Sequence, residues 1–169
     1  MNGPKSTERV DSSAQADVDT AYHEAGHVVV ACFYGRLPLS ATIERDGDIA
    51  GTTEFEPNVI WRKLDQSSEK RKHTEILVVG ELAGTAAHNL FRPGRGLDSG
   101  DEHDLYQATE LIIELVIWVD EDEYLKFAKA KATDLLETNW VWVEKVAEAL
   151  LAQRTLTRAE IVKLIPSAT

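Results

Sequence analysis

The chain has 169 residues, 43% of them apolar, which fits a single globular domain. Its 29 acidic residues outnumber 18 basic ones, and the resulting net charge of −11 excludes nonspecific nucleic-acid binding, because phosphate backbones repel such a surface. One cysteine, Cys32, excludes an internal disulfide framework, and the longest apolar run, residues 111–119, is too short to insert into a membrane. We therefore expect a soluble, cytoplasmic protein.

The N-terminal residues predict a flexible arm followed by one domain. Residues 1–16 are mostly polar or small, which is typical of a mobile terminus, and the domain is expected to cover residues 17–169. From Asp17 onward, apolar side chains recur at spacings of three and four, which predicts an amphipathic helix. This helix is expected to end at Gly35, because glycine commonly follows the last helical turn.

A β-hairpin is predicted after this helix, over residues 39–55. Two segments rich in β-branched residues flank the turn signal Asp46-Gly47-Asp48, which favours antiparallel pairing. Further helices are predicted from apolar spacing and capping residues at 67–91, 99–119, 120–138 and 140–153, with a short last helix that begins at Thr157 and stops at Pro166. The fold class that follows is α+β and predominantly helical, with about six helices and a small β-hairpin after the first.

The first predicted helix contains the motif His23-Glu24-Ala25-Gly26-His27. Residues four apart lie on the same face of a helix, so both imidazoles can reach one ion. Zinc accepts histidine nitrogens, and a catalytic zinc site has three protein ligands and a water. Glu24 is then suited to accept a proton from that water. The alternative is a set of solvated polar residues on a surface helix, but the apolar or small neighbours on both sides of the motif favour a metal site.

A third ligand is required, and the residues alone leave its identity open. The metzincin pattern is excluded, because its glycine and its third histidine would fall at Val30 and Phe33. The remaining candidates are downstream carboxylates and the histidines His73, His88 and His103. Residues 98–105 hold four carboxylates and a histidine, but acids also stabilise helix N-termini, so composition does not choose among these residues.

The segment Ala-Tyr-His-Glu-Ala-Gly-His at residues 21–27 resembles the zinc-binding helix of a known family. This family is the FtsH-type proteases, the membrane-anchored AAA zinc metalloproteases, and the resemblance is to their peptidase domain. Further segments are similar in the same order: residues 42–53 to the strand pair, 80–87 to a glycine-rich helix, 99–109 to the stretch Thr-Gly-Ala-x-Asn-Asp-Leu with its following Ala-Thr, and 149–161 to the closing helices. In all, the resemblance spans about residues 20–165.

The resemblance implies a zinc metallopeptidase that hydrolyses peptide bonds in peptides or unfolded protein segments. It implies His23, His27 and Asp104 as the three zinc ligands. It also implies Glu24 as the general base, which takes a proton from the attacking water and passes it to the leaving amine.

Several features depart from the family pattern. None of the ten glycines lies in a phosphate-binding loop of the form G-x-x-x-x-G-K-[ST], and the family's segment after its third helix is missing. His88 stands where the family usually has glutamate, and His103 stands where it has asparagine. We therefore expect a stand-alone peptidase domain whose activity is independent of ATP. A homo-oligomer and a separate ATPase partner stay open.

Two other functions fit the same residues. A zinc-binding adaptor could keep the fold without activity, although an intact Glu24 argues against it, because a retired enzyme has no physical need for the base. A regulatory protease that cleaves one folded partner at an exposed loop is not distinguished from the first interpretation. For an extended substrate, the strand at Thr42 or the strand at Thr52 is the candidate edge for β-addition.

Overall fold

The computed structural model describes residues 12–57, 68–94, 96–115 and 120–165. Within these ranges the elements are α1 (Ser12–Phe33), β1 (Ser40–Thr42), β2 (Thr52–Glu54), α2 (Ser68–Glu81), α3 (Ala83–Phe91), α4 (Ser99–Leu115), α5 (Glu121–Thr138), α6 (Trp140–Gln153), β3 (Thr155–Thr157) and α7 (Arg158–Leu164). The predicted class, α+β and predominantly helical with a small sheet, is confirmed. In the described part of the chain, no helix combines the length and apolar character that a membrane span requires.

Two helix boundaries differ from the prediction. The first helix begins at Ser12, so the end of the predicted arm is helical, while residues 1–11 and 116–119 lie outside the described residues. The helix predicted over 67–91 is interrupted at Leu82, which separates α2 from α3. This break falls between Gly80 and Gly84, the two residues of weakest helix propensity in the segment.

The sheet has three antiparallel strands in the order β2-β1-β3. The third strand was not predicted, because its Thr-Leu-Thr sequence is too short for a period-two pattern and Thr157 also forms the capping box of α7 with Glu160. Since β1 pairs with a strand on each side, the strand at Thr42 is not an edge, and that expectation is wrong. The strand at Thr52 is an outer strand of this sheet.

The core is built around α1, which packs against α3 on one side and α6 on another. Close approach to α3 depends on Gly26, where a Cβ atom would collide with the carbonyl oxygen of Ala83 and the methyl group of Ala87. The Tyr22 ring stacks on Phe91 at the end of α3, with ring centroids 3.7 Å apart. The helix that carries the two motif histidines is therefore held firmly against α3.

Candidate metal centre

Three side chains from two helices meet at one point. His23 and His27 lie on the same face of α1, and their Nε2 atoms are 3.2 Å apart. The Asp104 carboxylate approaches from the first turns of α4, and its Oδ2 atom lies 3.0 Å from Nε2 of His23 and 3.1 Å from Nε2 of His27. The structure thus brings together the three residues that the sequence analysis named as ligands.

The geometry of these atoms fits a zinc ion. Tetrahedral zinc with bonds of about 2.0–2.2 Å places its ligand atoms about 3.3–3.6 Å apart, slightly further than the observed separations. Two imidazoles and a carboxylate are also a donor set that zinc accepts. Nδ1 of His27 donates a hydrogen bond of 2.9 Å to the Gly80 carbonyl oxygen, and that bond fixes the ring with Nε2 facing His23 and Asp104.

The absence of a side chain at Gly84 leaves the space that this centre needs. A Cβ atom there would lie well inside contact distance of Nε2 of both His23 and His27. Those nitrogens are the atoms that face Asp104. The break at Leu82 and the glycine together allow the backbone of α3 to pass directly beside the centre.

Glu24 is buried and lies beside the centre on α1. Its Oε2 atom accepts a hydrogen bond of 2.7 Å from the Thr53 hydroxyl on β2, and its Oε1 atom faces Gly51 closely enough that a Cβ at position 51 would clash. The hydroxyl of Thr53 in the sheet therefore holds one of the two carboxylate oxygens of Glu24. It lines the same cleft as the two histidines, as a general base must.

The centre lies at the bottom of a cleft of about 470 Å³. Its walls include Thr52 and Phe55 from the outer strand and its continuation, and Ser99 and His103 from the start of α4. The outer strand and the three converging side chains therefore line one cleft.

The ionisable groups of His23, His27 and Asp104 shift one another's pKa values toward the charged forms. Burial alone would lower the pKa of His23, but hydrogen bonds to Asp101 and Asp104 outweigh it and raise the pKa to about 10. Burial would likewise lower the pKa of His27, and the negative charge of Asp104 raises it. For Asp104, burial acts to raise the pKa, but the two histidines lower it to about 2. The protonated histidines and the ionised carboxylate therefore stabilise one another.

Zinc binding should therefore release protons near neutral pH. With a pKa of about 10, His23 carries a proton at pH 7, and zinc binds only the neutral imidazole. The apparent zinc affinity should rise with pH from neutrality toward pH 10. Titration calorimetry in two buffers of different ionisation enthalpy measures the released protons, and an affinity that does not change with pH would contradict this assignment.

The remaining candidate histidines lie in different surroundings. His103 is exposed and lines the cleft, whereas His73 is not one of the residues that line it. His88 is 2% exposed on α3, so it is buried, and it is not one of the residues that line the cleft.

Asp101 is the residue whose position sequence analysis did not anticipate. It was grouped with helix-terminal acids, yet it is 3% exposed and its Oδ1 atom lies 3.5 Å from Nδ1 of His23. The available signal was its spacing of three from Asp104, because residues three apart share a helix face.

Comparison with known proteins gives partial similarity to one class of enzyme. No family profile matches this chain. It is 31% identical over 99 residues to the ATP-dependent zinc metalloprotease YME1 homolog of Schizosaccharomyces pombe, which covers 57% of this chain and 13% of that protein. It is 29% identical over 116 residues to the ATP-dependent zinc metalloprotease FTSH 6, chloroplastic, of Arabidopsis thaliana, which covers 68% of this chain and 16% of that protein.

Part of this chain is distantly similar to zinc metalloproteases. The matched segments span only 13% and 16% of the length of these two relatives.

Proposed function

We propose that this protein is a zinc metallopeptidase that cleaves peptides or unfolded protein segments. The observation that carries the proposal is the convergence of His23, His27 and Asp104 within 3.2 Å of one another, with Glu24 beside them in one cleft. The partial similarity to zinc metalloproteases supports the same chemistry.

Each residue has a distinct role in the proposed reaction. His23, His27 and Asp104 hold the ion, which when bound supplies Lewis acidity toward the scissile carbonyl and a water. The carboxylate of Glu24 accepts a proton from the attacking water and delivers it to the nitrogen of the leaving amine. The Thr53 hydroxyl, bonded to Oε2 of Glu24, keeps that carboxylate in place.

The outer strand β2 is the proposed site for the substrate backbone. It pairs with β1 on one side, and its residues Thr52 and Thr53 line the cleft. A peptide added along this edge would be bound mainly through main-chain hydrogen bonds, which place little demand on its sequence. Only an extended, unfolded segment can pair in this way, so the edge selects for unstructured substrates.

The purified chain should cleave substrates according to their instability and without ATP. Its sequence has no phosphate-binding loop, and unfolding a stable domain requires about 5–15 kcal/mol. Zinc-loaded protein is offered casein, a stable folded domain and a destabilised mutant of that domain, each with and without ATP. We expect cleavage of casein and of the unstable mutant at rates that ATP does not change, and ATP-stimulated degradation of the stable domain would refute the proposal.

The same experiment distinguishes the adaptor interpretation. An adaptor would bind zinc and leave all three substrates intact. A separate ATPase partner, if it exists, would add cleavage of the stable domain only when both proteins are present.

Replacing Asp104 by alanine should lower zinc affinity by more than about 100-fold. Removing a residue that only hydrogen-bonds to a metal ligand lowers affinity about 10–100-fold, and removing a direct ligand should cost more. Competition with a chromogenic chelator measures the change. The matched control is Glu102→Ala, which removes an exposed carboxylate from the same helix end and should retain zinc. Asp101→Ala is unsuitable as a control because Asp101 contacts His23. Equal retention in the Asp104 and Glu102 variants would contradict the ligand assignment.

A further inference from the structure

A second pair of buried side chains lies behind His23, on the side away from the proposed zinc ligands. The Oδ1 atom of Asp101 is 3.5 Å from Nδ1 of His23 and 3.9 Å from Nδ1 of His88. The rings of His23 and His88 meet edge to face with centroids 6.2 Å apart. This arrangement connects α1, α3 and α4 directly behind one metal-binding ring.

The Asp101 carboxylate is held in a fixed orientation. Its Oδ2 atom accepts a hydrogen bond of 3.1 Å from the backbone N–H of Asp98, and the Asp98 side chain accepts one of 3.0 Å from the backbone N–H of Asp101. These contacts leave Oδ1 directed at His23.

His88 lies between Asp101 and a second carboxylate, that of Asp19. Its Nε2 atom lies 3.8 Å from Oδ1 of Asp19, and Asp19 in turn forms an ion pair of 2.6 Å with Arg92. The imidazole is therefore placed between two carboxylates, and one of them is tied to a cation.

We propose that Asp101 and His88 are positioning residues for the zinc ligand His23. Asp101 accepts the Nδ1–H of His23, which fixes the tautomer in which Nε2 carries the free lone pair. His88 keeps the carboxylate directed at that ring. Carboxylates that orient histidine ligands typically contribute 10–100-fold to metal affinity. The inference rests on the proposed zinc site but does not depend on peptide hydrolysis.

The same atoms suggest one competing interpretation, a second cation held by His23, His88 and Asp101, whose ligand atoms lie within 4.8 Å of one another. Two observations favour orientation. The Asp101 carboxylate already accepts a hydrogen bond of 3.1 Å from the backbone N–H of Asp98. His23 would also have to lose its Nδ1 proton and bridge two ions, whereas a single ion at Nε2 leaves that proton for Asp101.

The test combines zinc affinity with a proton resonance that reports the bond directly. In zinc-loaded protein with ¹⁵N-labelled histidine, the Nδ1–H of His23 should give a downfield, slowly exchanging signal. Asp101→Asn should move that signal upfield and lower zinc affinity about 10–100-fold, because a neutral amide is a weaker acceptor. The Nδ1–H of His27, bonded to the Gly80 carbonyl, is the internal control and should not move.

A second variant keeps the inference testable if Asp101→Asn does not fold. His88→Gln leaves Asp101 in place and should produce a smaller shift of the His23 signal and a smaller loss of affinity, with Glu102→Gln as the unaffected control. An unchanged His23 signal and affinity in folded Asp101→Asn would overturn the inference. A zinc content of two ions per chain in the parent protein that falls to one in Asp101→Asn would also overturn it. Failure of the wild-type protein to bind zinc at all would refute the proposed function instead.

Discussion

Replacing Glu24 by glutamine should lower peptide hydrolysis by about 10²–10⁴-fold while bound zinc is retained. The amide keeps the size of the carboxylate and can still accept the hydrogen bond from Thr53, but it cannot take a proton from water. Steady-state cleavage of an unstructured peptide measures the loss. Metal content of the same preparation shows whether the three ligands still hold the ion.

Two results would change the interpretation of this variant. Hydrolysis at the parental rate would show that Glu24 is not the base. Loss of zinc together with activity would show that Glu24 supports the metal site. The exposed Glu102, replaced in the same way by glutamine, should leave both zinc and hydrolysis unchanged.

Substituting Gly84 with alanine should remove zinc from the purified protein and abolish activity. The added methyl group would overlap with Nε2 of both His23 and His27, so neither nitrogen could keep its position facing Asp104. The backbone of α3 cannot simply withdraw, because Gly26 brings α1 into close contact with it. Metal analysis of the purified variant checks the first effect, and peptide cleavage checks the second.

Gly80→Ala is the matched control for this substitution. It adds the same methyl group one helical turn earlier, where no atom lies within 4 Å of the new Cβ. The hydrogen bond from His27 to the Gly80 carbonyl uses a backbone oxygen of residue 80, so this substitution keeps it. Gly80 lies in the last turn of α2, where alanine favours the helix over glycine, so this variant should be at least as stable as the parent protein and retain zinc. Zinc retained equally in both glycine variants would contradict the steric argument.

The helices were largely predictable because their apolar periodicity and capping residues are local signals. The capping box of Thr157 and Glu160 indicated the start of α7 correctly, yet the same residues concealed the strand before it. Strand β3 exists because it pairs with β1, more than a hundred positions earlier in the chain. Three residues are too few to show a periodic strand pattern, so the local sequence around Thr157 indicates only a helix cap.

The candidate site was predictable to the extent that its residues follow a helix period. His23 and His27 are four apart on one helix, so their convergence follows from helical geometry. Asp104 was identified through resemblance, because composition did not distinguish it from neighbouring acids. The contact of Asp101 with His23 and the clearance at Gly84 depend on how α3 and α4 pack against α1. The spacing of three between Asp101 and Asp104 places both on one helix face, but it does not show that this face meets His23.

The proposed ligand set would also have a consequence for folding. His27 and Asp104 are 77 positions apart, so an ion shared between them closes a long loop in a chain that has one cysteine and no internal disulfide. A covalent cross-link over that length would reduce the entropy of the unfolded chain by about 4–5 kcal/mol at room temperature in the polymer estimate. A bound metal would act as a reversible cross-link with the same kind of effect on the unfolded chain. Chelation would therefore loosen the domain as well as stop its chemistry, whereas Glu24→Gln leaves the cross-link in place and isolates the chemical step.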